Sequence, residues 1–203
     1  MTCKYKKLAI LGGTFDPIHI GHLLIAQQAY NNFELDKIIF MPAGITPHKD
    51  NVNITASRHR LEMVRIAIKD NPVFSFSQWE INQSKKSYTV DTLKYFEQQD
   101  IASEIYFIIG ADSLYDMFDW KEPEYLLTRS NFIVAARPGY LLENIFKDQR
   151  FKGYEKNIYL LDKFKMEISS STIREYIRNN ISVKYLLPDE IINYINENRL
   201  YQG

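Results

Sequence analysis

The chain has 203 residues, with Lys+Arg and Asp+Glu both at 25, so its formal charge is zero. That balance argues against a general polyanion binder, which carries a basic excess, while a small phosphorylated substrate needs only a few local positive groups. Cys3 is the single cysteine and excludes an intramolecular disulfide; no run reaches the length of a membrane span, and the apolar stretch before Gly12 is too short for a signal-peptide core.

In chain order, "KLAIL" (7–11) and "KIIFMPA" (37–43) read as buried strands, as do "EIYFII" (104–109) and "NFIVAA" (131–136), with "IYLL" (158–161) as a weaker fifth. Near-continuous apolar runs suit a parallel sheet covered on both faces. "FSFSQWEI" (74–81) alternates like a strand with one exposed side, at an edge, with Trp79 in its core. Between the strands, Leu23, Ala26, Tyr30 and Phe33 share one helical face. Leu61, Val64, Ala67 and Ile68 share a second, and Thr92, Tyr95 and Phe96 a third. Residues 169–180, opening on Ser and Thr, and 188–198, opening on Pro188 and two acids, read as C-terminal helices. The expectation is α/β: a Rossmann-like open parallel sheet with helices on both faces and a helical C-terminal end, in one domain over 1–203.

The joint between the first strand and first helix is "GGTFDPIHIGH" (12–22). Glycines let a backbone approach a ligand closely, and a helix start offers N–H groups to phosphate. The stretch is neither G-x-G-x-x-G nor a P-loop, so hydride transfer and P-loop hydrolysis lose support. His19 and His22 are one turn apart and face the same way. The pair could clamp phosphate, bind zinc, or be a cap beside a core histidine. No Cys, His or Asp partners stand at useful spacing for zinc, and Gly12, Gly13, Thr14 and Pro17 favour phosphate.

"GTFDPIHIGH" resembles the H-x-G-H signature of the nucleotidylyltransferase superfamily, and "ISSSTIR" (168–174) resembles its I-S-x-x-x-I-R signature. "PAGITPHK" (42–49), "SYTVDTL" (87–93), "FIIGADSL" (107–114), "DW" (119–120) and "AARPG" (135–139) are similar to bacterial nicotinate-nucleotide adenylyltransferases. Many relatives read "ISST" and then a variable residue before "IR", where this chain has Ser171 and Thr172, so which hydroxyl touches phosphate stays open.

The resemblance implies adenylyl transfer from ATP to nicotinate mononucleotide, giving nicotinate adenine dinucleotide and pyrophosphate in NAD biosynthesis. It also implies Mg2+ held mainly through the nucleotide phosphates, with no protein metal ligand. His19, His22 and Arg174 are then the catalytic group. Gly12, Gly13, Thr14, Phe15, Gly110, Asp112, Arg137, Ser171 and Thr172 bind ATP and its phosphates, and Lys49, Thr89, Asp91 and Trp120 the pyridine nucleotide. For Arg174 the plain alternative is a surface ion pair with Glu175 or Glu167. For Lys49 it is a solvated loop lysine beside Asp50, for Arg137 a turn arginine before Pro138, and for Asp91 ordinary first-turn acid placement. Asp16 reads as a shaper of the turn before Pro17. Helix N–H groups at Thr89 favour a carboxylate over an amide, hence nicotinate over nicotinamide.

The rivals are phosphopantetheine adenylyltransferase, an enzyme preferring nicotinamide or using both, and a nucleotide sensor without catalysis. A nucleic-acid module is the weakest reading. The expected setting is cytoplasmic, without membrane or nucleic acid; oligomeric state stays open, an oligomer included.

Overall fold

The computed structural model describes residues 3–45, 54–136, 142–162 and 167–202. Six strands form one sheet: β1 (Tyr5–Gly13), β2 (Lys37–Pro42), β3 (Phe74–Phe76), β4 (Ala102–Gly110), β5 (Asn131–Ala135) and β6 (Ile158–Leu161). Their order is β3-β2-β1-β4-β5-β6, and every pairing is parallel. The order reverses between β1 and β4, which opens a crevice at their carboxyl ends, where ligands bind in sheets of this kind.

The helices are α1 (Ile20–Phe33), α2 (Ser57–Ile68), α3 (Thr89–Gln98), α4 (Ala111–Tyr115), α5 (Pro123–Arg129), α6 (Ser170–Arg178) and α7 (Asp189–Glu197). Alternating side chains of β1 divide the core. Ala9 and Leu11 join Ala26, Ala29, Met63, Val64, Ile173, Ile191 and Ile195, so α1, α2, α6 and α7 cover that face. Leu8 and Ile10 join Val90, Leu93, Leu114, Leu126 and Leu127, so α3, α4 and α5 cover the other. Each fully buried Leu, Ile, Val or Met among them stabilises the fold by about 1.5–3 kcal/mol.

The expected sheet and helical C-terminal end are present, with three differences. The strand expected over 74–81 stops at Phe76, and turns follow from Trp79. β3 pairs on one side only, with β2, and Ser77 N–H donates to Phe40 O at 3.0 Å just beyond it. Trp79 therefore lies outside any strand and stacks on Tyr95, ring centroids 4.7 Å apart. The buried face of α2 runs through Arg60, Met63, Val64 and Ile68, while Leu61 and Ala67 are only partly buried. The stripe is rotated because Arg60, a charged residue, takes an interior position.

Candidate active site

The crevice is built from the loop that leaves β1. Leu11 pairs with Ile108, so Gly12 and Gly13 run on beside the end of β4 at Gly110. A Cβ on Gly12 would meet nothing within 4 Å, so this backbone faces open space. A Cβ on Gly13 would come within 3.0 Å of the Phe15 ring. Phe15 turns back over Gly13 at φ 50° and is 1% exposed, which plugs the floor of the turn.

His19 is the N-cap of α1 and is buried. The His19 N–H donates to His22 Nδ1 at 3.2 Å, and the two rings stack at 3.7 Å between centroids. Because Nδ1 accepts, the neutral His22 ring carries its proton on Nε2, leaving a donor on the opposite edge. Gly21 has a definite steric duty: a Cβ there would lie 3.0 Å from the His19 ring. A glycine between the histidines is what lets the two rings stack.

The second motif closes on the first. Ser170 Oγ donates to Pro17 O at 2.9 Å, and Arg174 Nη1 donates to Asp16 O at 2.7 Å. α6 thus sets its N-terminus and its arginine against the 12–22 turn. Ser169 caps α6 by accepting from Thr172 N–H at 3.1 Å, and its hydroxyl lies 2.8 Å from Thr172 Oγ1. Thr172 is therefore engaged in the cap, and both it and Ser171 are exposed on the first turn. Arg174 does not pair with Glu175 or Glu167; its carboxylate neighbour is Asp16, at 3.9 Å.

Asp16 is 4% exposed, and its carboxylate accepts from Tyr201 Oη at 2.7 Å and from Thr55 N–H at 3.3 Å. Arg60, 3% exposed, donates to the carbonyls of Thr14 (2.7 Å), Ala43 (2.9 Å) and Thr55 (2.9 Å). One guanidinium thereby ties the loops after β1 and β2 to the segment before α2. Burial lowers the Arg60 pKa, and the negative charge of Asp16 opposes that. Hydrogen bonds to a charged group contribute about 1.5–3 kcal/mol each, so this is a stiff joint. The sequence motifs do not single out Arg60, although its spacing from Met63, Val64 and Ala67 puts it on the apolar stripe.

On the other side of the crevice, Gly110 is the N-cap of α4 and Asp112 lies in its first turn. α3 begins at Thr89, with Tyr88 as an N-cap whose side chain makes no cap bond. Asp91 pairs with Lys121 at 2.9 Å and Lys85 at 3.8 Å rather than bracing the turn. Lys121 also lies over the Tyr88 ring at 5.1 Å, and it follows Trp120, so Thr89, Asp91 and Trp120 share one neighbourhood. Gly44 approaches this side closely, since a Cβ on it would overlap Glu80 O. Ser87 N–H donates to Ile45 O at 2.9 Å, joining the loop after β2 to the segment that opens α3. Lys49 and Arg137 lie outside the described residues. Among the described residues no three His, Cys, Asp or Glu side chains gather as a metal cage, and no helix is long and apolar enough to cross a membrane.

Comparison with known proteins gives the family. The cytidylyltransferase-like family matches residues 10–176. A probable nicotinate-nucleotide adenylyltransferase of Clostridium botulinum (strain Alaska E43 / Type E3) is 45% identical, over 97% of this chain and 98% of its own. One of Desulfitobacterium hafniense (strain DSM 10664 / DCB-2) is 41% identical, over 97% and 96%. In fold, the chain is similar to Plasmodium falciparum nicotinic acid mononucleotide adenylyltransferase complexed with NaAD, with a TM-score of 0.78, 24% identity and 97% of each chain covered. The same enzyme complexed with APC gives a TM-score of 0.76 at 23% identity, again over 97% of each chain. The chain belongs to the nicotinate-nucleotide adenylyltransferases, within the cytidylyltransferase-like family.

Proposed function

We propose that this chain transfers the adenylyl group of ATP to nicotinate mononucleotide, releasing pyrophosphate and forming nicotinate adenine dinucleotide, as a step of NAD biosynthesis. The observation that carries this reading is the docking of the two motifs, with Ser170 on Pro17 and Arg174 on Asp16. It brings Arg174 and the N-terminus of α6 against the turn whose sequence carries Gly12, Gly13, His19 and His22, a donor set suited to a polyphosphate.

In the proposed reaction the 5′-phosphate oxygen of nicotinate mononucleotide attacks the α-phosphorus of ATP in line. The bond to the bridging oxygen breaks, and its electron pair leaves with pyrophosphate. The nucleophile is already an anion, so positioning and charge stabilisation carry the catalysis. Backbone around Gly12, Gly13, Thr14 and Phe15 seats the phosphates. His22 Nε2–H and the His19 ring stabilise charge growing on the leaving group, and Arg174 with Ser171 grips the distal phosphates. Gly110 and Asp112 take the adenosine. The pyridine ring stacks on Trp120, and its carboxylate meets the first-turn N–H groups of α3 at Thr89, with Lys121 adding positive charge nearby. In this reading Lys49 and Arg137 supply further positive charge.

The reaction class uses a divalent cation, and Mg2+ is the ion proposed, borne by the phosphate oxygens and neutralising their charge. The donors here are N–H groups and cations, which fit the phosphates rather than the metal. Asp16, the acid nearest the turn, is engaged by Tyr201 and Thr55. The chain is read as one nucleotidylyltransferase unit working in the cytoplasm on charged small molecules, without nucleic acid or membrane.

The test is pyrophosphate release with Mg2+-ATP and three acceptors: nicotinate mononucleotide, nicotinamide mononucleotide and phosphopantetheine. A strong preference for the first is expected. Equal use of the first two removes the carboxylate role of the α3 N-terminus, and silence with all three contradicts the reaction.

A further inference from the structure

Tyr201 sits outside both motifs, 185 residues from Asp16, yet its hydroxyl donates to Asp16 Oδ1 at 2.7 Å. The turn that carries it is anchored: Leu200 N–H donates to Ile195 O at 3.0 Å, and Ile191 and Ile195 of α7 are buried. Asp16 occupies a position with two competing suitors. Its Oδ2 lies 3.9 Å from Arg174 Nη1, at the outer limit of an ion pair, while Nη1 donates to the Asp16 carbonyl at 2.7 Å. The carboxylate and the guanidinium are thus near neighbours held just short of full pairing.

We propose that Tyr201 is a positioning residue that satisfies the Asp16 carboxylate and so keeps the Arg174 guanidinium available to the triphosphate of the nucleotide. This rests on the phosphate-binding role of Arg174 given above. A buried carboxylate deprived of a partner takes the nearest cation, because an unpaired charge in low dielectric is costly. With the tyrosine hydroxyl gone, that cation is Arg174, which would close the 3.9 Å gap and turn from the nucleotide. With the hydroxyl present, Asp16 Oδ1 is served by Tyr201 and Oδ2 by Thr55 N–H, so the short contact of Arg174 is to a backbone carbonyl and the carboxylate stays at 3.9 Å. Burial, then the Asp16 charge, push the Tyr201 pKa far up, so the hydroxyl keeps its proton at any assay pH.

The experiment is a double-mutant cycle on the full chain with Y201F, D16N and D16N/Y201F. The readouts are Kd for Mg2+-ATP by calorimetry, Kd for nicotinate mononucleotide, kcat, and circular dichroism. Y201F removes one oxygen from a ring whose packing is otherwise kept. It is expected to stay folded at 25 °C, to weaken Mg2+-ATP binding about tenfold with a matching loss of kcat, and to leave the Kd for nicotinate mononucleotide unchanged. In the D16N background no charge remains to capture Arg174, so D16N and D16N/Y201F should share one Mg2+-ATP Kd. A wild-type Mg2+-ATP Kd in Y201F overturns the proposal. So does an equal loss in both backgrounds, or a Y201F protein unfolded at 25 °C, which assigns the tyrosine to the fold alone. The Kd cycle decides the matter even if no acceptor is adenylylated, so failure of the proposed reaction remains distinguishable.

Discussion

His22 works through two nitrogens with different duties. Nδ1 accepts the His19 N–H at the start of α1, and this bond leaves the proton of the neutral ring on Nε2. H22A therefore removes a structural acceptor and the proposed phosphate donor together, and the two expected losses differ in size. The lost cap costs about 1 kcal/mol of stability. The lost donor lowers kcat by about 100-fold, as removal of a preorganised group facing developing charge does. Urea unfolding beside steady-state kinetics checks the pair, and near-normal turnover would remove His22 from the chemistry. The histidines of this turn were legible in sequence because their spacing puts them on one helix start. The stacking and the steric duty of Gly21 needed the rings in place. Asp16 was legible as a turn-shaper, but its partners come from Thr55 and Tyr201, far along the chain, and local pattern carries no trace of them.

At the scale of elements, the strands and long helices follow from apolar periodicity, and departures from it occur where polar groups are buried. α2 is rotated by Arg60, whose acceptors come from the β1–α1 loop (Thr14) and from both ends of the β2–α2 connection (Ala43 and Thr55), and the two distant ones leave no mark in a local window. The segment after β3 turns instead of extending and brings Glu80 inward, where it accepts from Thr92 of α3 at 2.6 Å. Burial raises the Glu80 pKa above its ordinary 4.5, and the Thr92 bond opposes this only in part. The folded state thus holds the Glu80 proton more tightly than the unfolded chain does. The resulting stabilisation is complete below about pH 4.5 and is lost as pH rises through the elevated folded value. E80Q keeps an acceptor for Thr92 but cannot ionise. Its Tm relative to wild type should climb as pH is raised from 4.5, read by thermal melts across pH. Parallel Tm curves would mean that Glu80 ionises in the fold as readily as in water.

At the scale of the molecule, sheet order determines what the local motifs can reach. β1 and β4 are adjacent at the point where the order reverses, so the glycine turn after β1 and the Gly110–Asp112 start of α4 flank one crevice. α6 returns along the face of α1 to seal one side through Ser170 and Arg174. α3, on the opposite face, offers its N-terminus to the other side. The proposed division, with phosphates under α1 and α6 and the pyridine beside α3 and Trp120, was only partly legible. The sequence names the residues but not which sheet face each helix takes. The most direct measurement is a crystal structure of the protein with nicotinate adenine dinucleotide bound. The expected result has the phosphates against Gly13, Thr14 and His22 Nε2, the nicotinate ring on Trp120 and its carboxylate at the Thr89 N–H. Product seated away from the β1–β4 crevice, or lying in it with the pyridine end on the α6 side, would contradict the assignment.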